Sequence, residues 1–397
     1  MYKDIPVRLF RAFIIFSLLF HAAPSLASDD LMDAGSAATI DVILDNAIRR
    51  GLISGGVVAV GNHEGLLYSS AIGQISPIGA TVPITEQTVF DLASLTKVIA
   101  TTPAIMKLLE NGRITLMDPL SRWFPEFEGT GREEITILDL LTHTSGLDDA
   151  TLSYVTPLKS VIQHAASQKN WKPFRSRFRY ADINFILLGE LIQRASGQSL
   201  DRFAQEQLFA PLGMSDTTFS PKTNIFRSIA PTLGADKLLQ SGLVQDENAR
   251  LLAGVAGHAG LFSTASDLSR FAVMLLEKGE LNKRRLFSQR VVTQMIAPYF
   301  YSGGRVVRGL GWDIYSPFSS PRGRHFSDMS FGHTGYSGSS IWIDPERDLF
   351  VILLTIRLNY SELQHFSKLR SDISTLAASI FSHPRIADDF FNDVQLP

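Results

Sequence analysis

The chain has 397 residues, 45% of them hydrophobic and 19% charged, with 37 Lys and Arg against 39 Asp and Glu. Disorder needs low hydrophobicity with high net charge, and nucleic-acid binding needs a basic excess; the overall balance carries neither. Cysteine is absent, which removes disulfide scaffolds, thiolate metal sites and cysteine nucleophiles together. The length suits two domains or one large enzyme of two lobes.

Lys3, Arg8 and Arg11 precede an apolar run at residues 12–20, followed by Pro24-Ser25-Leu26-Ala27. A basic start, a short apolar run and small residues at 25 and 27 make a secretory leader cut after Ala27. This run of nine residues falls short of the ~20 that span a membrane. The expectation is therefore a leader at 1–27, a mature chain at 28–397 placed in the periplasm or secreted, and no stable membrane anchor. Ile40, Ile43, Leu44 and Ala47 give residues 37–50 a helical period, with Gly51 just past the end. Residues 57–60 and 66–72 read as strands joined around Asn62-His63-Glu64-Gly65.

The middle of the chain is mostly helical in pattern. Residues 183–194 and 200–209 read as helices, the second halted by Pro211. Thr264, with Asp267 three residues on, caps another helix that closes at Gly279. A strand is expected from His333 to Trp342, with residues 340–344 and 349–356 forming a hairpin around Pro345-Glu346-Arg347. Leu363, Phe366, Leu369, Ile373, Leu376 and Ile380 then share one face of a helix over residues 361–382. The expected fold is α/β. Both ends of the chain, about 37–100 and 300–385, form one lobe, and a helical lobe of about 101–299 is inserted between them. A site is expected in the cleft between the lobes.

Ser94-Leu95-Thr96-Lys97 opens the apolar segment after Phe90-Asp91-Leu92. Three residues make one helical turn, so the hydroxyl and the amine share a face. A serine needs a base to take its proton, and a buried lysine with a depressed pKa can serve. Lys97 is the only lysine in the chain with a serine three residues before it. It stands inside Leu95-Val98-Ile99-Ala100, where a solvated charge is out of place. Pro103 is expected to bend this helix.

The stretch Phe90-Asp91-Leu92-Ala93-Ser94-Leu95-Thr96-Lys97 resembles the active-serine segment of the serine β-lactamase and penicillin-binding-protein superfamily. It is closest to the class C β-lactamase-related branch, with its D-alanyl-D-alanine carboxypeptidases and esterases. Residues 136–147, Pro211-Leu212-Gly213-Met214 and residues 257–264 resemble further segments of that branch in the same order, so the resemblance covers nearly the whole mature chain. It implies a β-lactamase/transpeptidase-like fold: an antiparallel sheet flanked by N- and C-terminal helices, with an inserted, mostly helical lobe.

The same resemblance implies further site residues. Tyr180-Ala181-Asp182 stands at the Tyr-x-Asn motif, where the tyrosine shares proton transfer with the lysine; a nearby ammonium eases loss of the phenolic proton. Asp182 replaces Asn and can accept hydrogen bonds but donate none once ionised. His333-Thr334-Gly335-Tyr336 stands at the Lys/His-Thr-Gly motif. Gly335 would let substrate approach the strand, and the Tyr336 N–H would join that of Ser94 in an oxyanion hole. Neutral imidazole at His333 offers less charge to a substrate carboxylate than lysine does.

Competing constellations are weaker. Gly335-Tyr336-Ser337-Gly338-Ser339 misses the last glycine of a nucleophile elbow. His143, His258 and His333 lack metal-ligand spacing, and the first two are expected to orient loops. Lys283-Arg284-Arg285 reads as a solvated helix end, and Arg175, Arg177 and Arg179 as an exposed strand face or a mouth for an anion. No cofactor or metal is implied.

The sequence therefore points to an exported serine hydrolase that forms an acyl-enzyme on Ser94, with peptide or small-molecule substrates. D-alanyl peptides of peptidoglycan origin, β-lactams and simple esters are the classes implied; an esterase, or a penicillin-binding module without efficient turnover, are the alternatives. Mass spectrometry of the mature N-terminus from the native host should find Ser28 first. An intact Met1 on the mature protein would contradict the leader.

Overall fold

The computed structural model describes residues 28–76, 82–149, 152–168, 174–175, 177–221, 228–234, 238–301 and 307–382. The leader expected at 1–27 lies outside them. Helix α1 (Ser28–Arg49) leads into a hairpin of β1 (Ile53–Asn62) and β2 (Gly65–Gly73). The middle carries α2 (Thr102–Glu110), α3 (Ile137–Leu141), α4 (Asp182–Ser196) and α5 (Ala265–Leu276). Three short strands follow: β3 (Phe300–Tyr301), β4 (Val307–Arg308) and β5 (Asp313–Tyr315). The chain ends with β6 (Phe331–Thr334), β7 (Ser340–Asp344), β8 (Leu349–Arg357) and α6 (Leu363–Phe381).

Among the described residues eight strands form one antiparallel sheet in the order β2-β1-β8-β7-β6-β5-β4-β3. The N-terminal hairpin joins the C-terminal strands where β1 pairs with β8, from Ile53 opposite Arg357 to Gly61 opposite Phe350. Both strands are buried throughout, because both faces of the sheet are covered. Val58, Val60, Trp342, Val351 and Leu353 pack under Ile40 and Leu44 of α1 and Phe366 and Ile373 of α6. Their alternate neighbours Val57, Ala59, Ile341, Phe350, Ile352 and Leu354 join the larger core with Leu268 and Phe271 of α5. The two-residue side-chain period of a strand thus feeds two separate cores.

Four expectations need correction. Residues 333–342 are not one strand: β6 ends at Thr334, the chain turns through 335–339, and β7 returns with Ser340 opposite Thr334. Pro211 does not halt its helix. A wide-turn segment over Gln205–Phe209 absorbs the missing N–H, the helix runs to Leu212, and Gly213 closes it at φ +67. Lys283-Arg284-Arg285 lies in a hairpin, not a helix end. Glu280–Leu281 pairs there with Arg284–Arg285 across Asn282 and Lys283, both at positive φ. The segment with Arg175, Arg177 and Arg179 is irregular. Two of its arginines anchor it to the fold, Arg175 to Asp139 at 2.8 Å and Arg179 to Asp148.

The two-core arrangement makes a direct test. Ile352→Ala and Leu353→Ala, one on each face of β8, should each cost about 2–5 kcal/mol in denaturant unfolding. A near-zero cost on either side would mean that face is not packed.

Candidate active site

Ser94 sits just past a corner in the chain. Phe90–Asp91 pairs with Phe262–Ser263, after which Ala93 turns at φ +47, an unfavoured conformation for a residue with a side chain. Asp91 holds that corner: one carboxylate oxygen accepts from Ala93 N–H at 2.7 Å and the other from Gln245 N–H at 2.7 Å. Burial pushes the Asp91 carboxyl up to about 6 in spite of these bonds. A short 3-10 turn, Ala93–Leu95, is followed by a wide π turn over Lys97–Thr101 before α2 begins. Pro103, in the first turn of α2, has no N–H to give to the preceding turn, and the backbone changes its spacing there.

Lys97 is completely buried. Its ammonium lies 3.0 Å from Ser94 Oγ, 3.0 Å from the His258 carbonyl and 2.7 Å from Asp182 Oδ1. The ammonium donates to Ser94 Oγ and the His258 carbonyl and is ion-paired with Asp182, so its partners come from three distant parts of the chain. Burial works against this charge, but the Asp182 carboxylate outweighs it and holds the lysine above its ordinary pKa. The expected depression does not occur, because the residue that departs from the Tyr-x-Asn motif supplies a counter-ion. Asp182 is correspondingly held below its usual range: burial opposes its ionisation, and Lys97 overcomes that.

Tyr180 places its hydroxyl in hydrogen-bonding reach of both Ser94 and Lys97, with the ammonium 5.1 Å from the ring centroid. Its pKa is raised, again contrary to expectation. Burial raises it, Lys97 lowers it and Asp182 raises it further. His143 fixes the ring by stacking on it at 4.5 Å. The His143 Nδ1 accepts from Ala181 N–H at 3.2 Å, and burial keeps the imidazole well below its ordinary pKa. His258 likewise anchors a loop, with Nε2 2.8 Å from Asp246 Oδ1. Burial disfavours the Asp246 carboxylate, yet the bond to His258 brings it down to about 2. Both histidines orient loops as expected. Asp182, Asp246 and His258 each bring one possible ligand atom within 4.8 Å of the others. The Lys97 ammonium already supplies the positive charge these carboxylates face.

His333 stands across from Tyr180, with ring centroids 6.0 Å apart. Its Nδ1 lies 2.9 Å from the Thr334 carbonyl, and burial, Arg308 and Lys97 hold it well below its ordinary pKa, so it is neutral at pH 7. Gly335 has no room for a side chain, but the neighbour is the chain itself: a Cβ would lie 2.1 Å from Ser339 Oγ and 2.3 Å from the Leu92 carbonyl. Ser339 and Ser337 donate to the carbonyls of Leu92 and Asp91 at 2.8 and 2.6 Å. The 335–339 turn is thereby stapled to the segment that carries Ser94, and Ser337 is spent on that staple. Among the described residues neither the Ser94 N–H nor the Tyr336 N–H donates to a protein acceptor.

Sequence reasoning missed Asp91, Asp246, Arg308 and Arg370. Arg308 is almost wholly buried, 3.2 Å from Asp313, and donates to the Gly311 carbonyl at 2.9 Å. Its sequence signal is one basic residue in an apolar strand region; the others carry none. At the mouth, Phe318 lies 5.6 Å from the Tyr180 ring and Tyr336 stacks on Tyr360 at 4.8 Å, both outer rings being about half exposed.

Comparison with known proteins gives the fold and the family. A solved class C beta-lactamase superposes with a TM-score of 0.72 at 20% identity, covering 89% of this chain and 98% of its own. An N-acetylmuramyl-L-alanine amidase of Bacillus subtilis (strain 168) is 30% identical over 303 residues, 68% of each chain. An Escherichia coli (strain K12) protein, provisionally named a D-alanyl-D-alanine carboxypeptidase, is 28% identical over 326 residues, 72% of each. The profile of the Beta-lactamase family matches residues 39–365, and the chain is therefore a member of the Beta-lactamase family of serine hydrolases.

Proposed function

We propose that the protein is an exported hydrolase that forms an acyl-enzyme on Ser94 and cleaves amides of the D-alanyl peptide class. The observation that carries this reading is the contact of Ser94 Oγ with the buried Lys97 ammonium at 3.0 Å, with the Tyr180 hydroxyl beside both. The curated relatives bear on cell-wall amides by name, which favours amides over other acyl donors.

In this reading Lys97, kept charged by Asp182, is not itself the free base. It stabilises the phenolate of Tyr180, which takes the Ser94 proton as Oγ bonds to the substrate carbonyl carbon. The oxyanion that forms is received by the N–H groups of Ser94 and Tyr336. Collapse breaks the carbonyl–nitrogen bond, and the proton passes from Tyr180 to the leaving amine. Water then repeats the sequence on the acyl-serine, giving its proton to Tyr180, and Ser94 recovers it when the acid departs.

A second reading, hydrolysis of neutral esters, is favoured by one feature. His333 is neutral, and the cations that act on it are engaged elsewhere: Arg308 with Asp313, Lys97 with Asp182, and Arg370 with backbone carbonyls. A substrate carboxylate finds little free positive charge there. Comparing turnover of an aryl ester, a penicillin and a D-alanyl-D-alanine peptide separates the two readings.

Two experiments test the mechanism. A fluorophosphonate should add once, at Ser94 by peptide mass, and Ser94→Ala should lose both the adduct and turnover, by roughly 10⁴-fold or more. Labelling elsewhere, or an active Ser94→Ala protein, would refute the nucleophile. The second concerns Asp182, which raises the Tyr180 pKa. A base works only when deprotonated, so activity climbs as pH rises through its pKa. Asp182→Asn should therefore move the ascending limb of the kcat/KM–pH profile to lower pH. A limb that stays put would show that the base is neither Tyr180 nor Lys97, both of which Asp182 holds up.

A further inference from the structure

We infer that Arg370, on the C-terminal helix α6 and outside the cleft, is a positioning residue that orients and polarises the Tyr336 N–H of the oxyanion hole. The inference rests on the acyl-enzyme reading and goes beyond it. The Arg370 Nη2 donates to the Gly335 carbonyl at 2.6 Å and to the Ser339 carbonyl at 2.8 Å. Gly335 C=O and Tyr336 N–H belong to one peptide group, and no described peptide bond is cis. In a trans peptide the two point in opposite directions, so a guanidinium bound to the oxygen aims the N–H away from α6. A charged donor on the oxygen also draws electron density from the nitrogen, which makes that N–H a stronger donor to a developing oxyanion.

The surroundings argue that this arginine is not kept for stability. It is 8% exposed, its Nε has no partner, and among the described residues no carboxylate pairs with it. Burial, and the neighbouring guanidinium of Arg357, push its pKa down to about 9, which leaves it charged at neutral pH. A buried cation without a counter-ion is costly. The turn does not need it: the Gly335 carbonyl also accepts from Gly338 N–H at 3.2 Å, and that of Ser339 from Gly335 N–H at 2.8 Å. Both acceptors would stay satisfied with an apolar residue at 370.

Arg370→Met and Arg370→Lys in the full chain test this. Arg370→Met should melt no lower than the parent, yet lose about 10–100-fold in kcat on an aryl ester, less than the ~10²–10³ of removing an oxyanion donor outright. KM should stay within about threefold, and affinity for phenylboronic acid, which forms a tetrahedral adduct on serine, should fall by the same factor as kcat. Arg370→Lys, which keeps the charge, should recover part of both. Unchanged kcat, a KM effect alone, or boronate affinity that does not follow kcat would overturn the inference. Should Arg370→Met not fold, the Tyr336 amide proton of the boronate adduct decides: it should resonate further downfield in the parent than in Arg370→Lys, and equal shifts overturn the inference. Turnover and boronate binding that survive in Ser94→Ala would instead mean that the acyl-enzyme reading has failed.

Discussion

A fully buried ammonium is expensive unless it is hydrogen-bonded and paired, and Lys97 meets that demand with two hydrogen bonds and one ion pair drawn from three segments. Ser94 comes from its own turn, Asp182 from the start of α4, and the His258 carbonyl from the loop before α5. None of these segments can shift without leaving the charge short of a partner. The rest of the site follows from this constraint. Asp246 fixes His258, His143 fixes Tyr180, and Asp91 holds the corner from which Ser94 projects. The electrostatics also follow, because the carboxylate that keeps Lys97 protonated raises the pKa of the adjacent phenol.

The sheet supplies the opposite wall. With β1, β7 and β8 packed on both faces, the β6–β7 turn has little freedom, and two serine hydroxyls tie it to the backbone just before Ser94. The Ser94 and Tyr336 N–H groups, proposed above as oxyanion donors, are therefore held relative to one another by short contacts and not by long flexible side chains. Such rigidity is what preorganised charge stabilisation requires, since dipoles that must rotate into place lose most of their advantage.

Features decided by near neighbours could be read from the sequence. The i,i+3 relation of Ser94 and Lys97, the Thr264 cap and the apolar runs of the terminal hairpins are local, and the structure has them where expected. The protonation states could not be read, because they depend on partners far along the chain. A lysine in an apolar helix suggests a depressed pKa until Asp182 is known to lie 2.7 Å away. The break after Thr334 was hidden for a related reason. Gly335, Ser337, Gly338 and Ser339 are turn-forming residue types, but only the contacts of Gly335, Ser337 and Ser339 with the 91–92 backbone show why the chain turns there. Arg370 had no sequence signal at all, since its role depends on which carbonyls a distant turn presents to it.

The pairing of β1 with β8 joins residues near the two ends of the described chain, Ile53 against Arg357. Closing so long a loop costs entropy before any contact rewards it, and folds with such distant pairings assemble slowly. The turn that carries Tyr336 is joined to β8 and α6 through Arg357 and Arg370 as well as to the 91–92 backbone, so its surroundings are complete only when the last strands and helix have been made. A chain still emerging from the ribosome can shape the Ser94 corner but cannot complete the oxyanion hole proposed for it. Reactivity arrives only with closure, and the appearance of activity during refolding would date the moment when the two ends of the molecule meet.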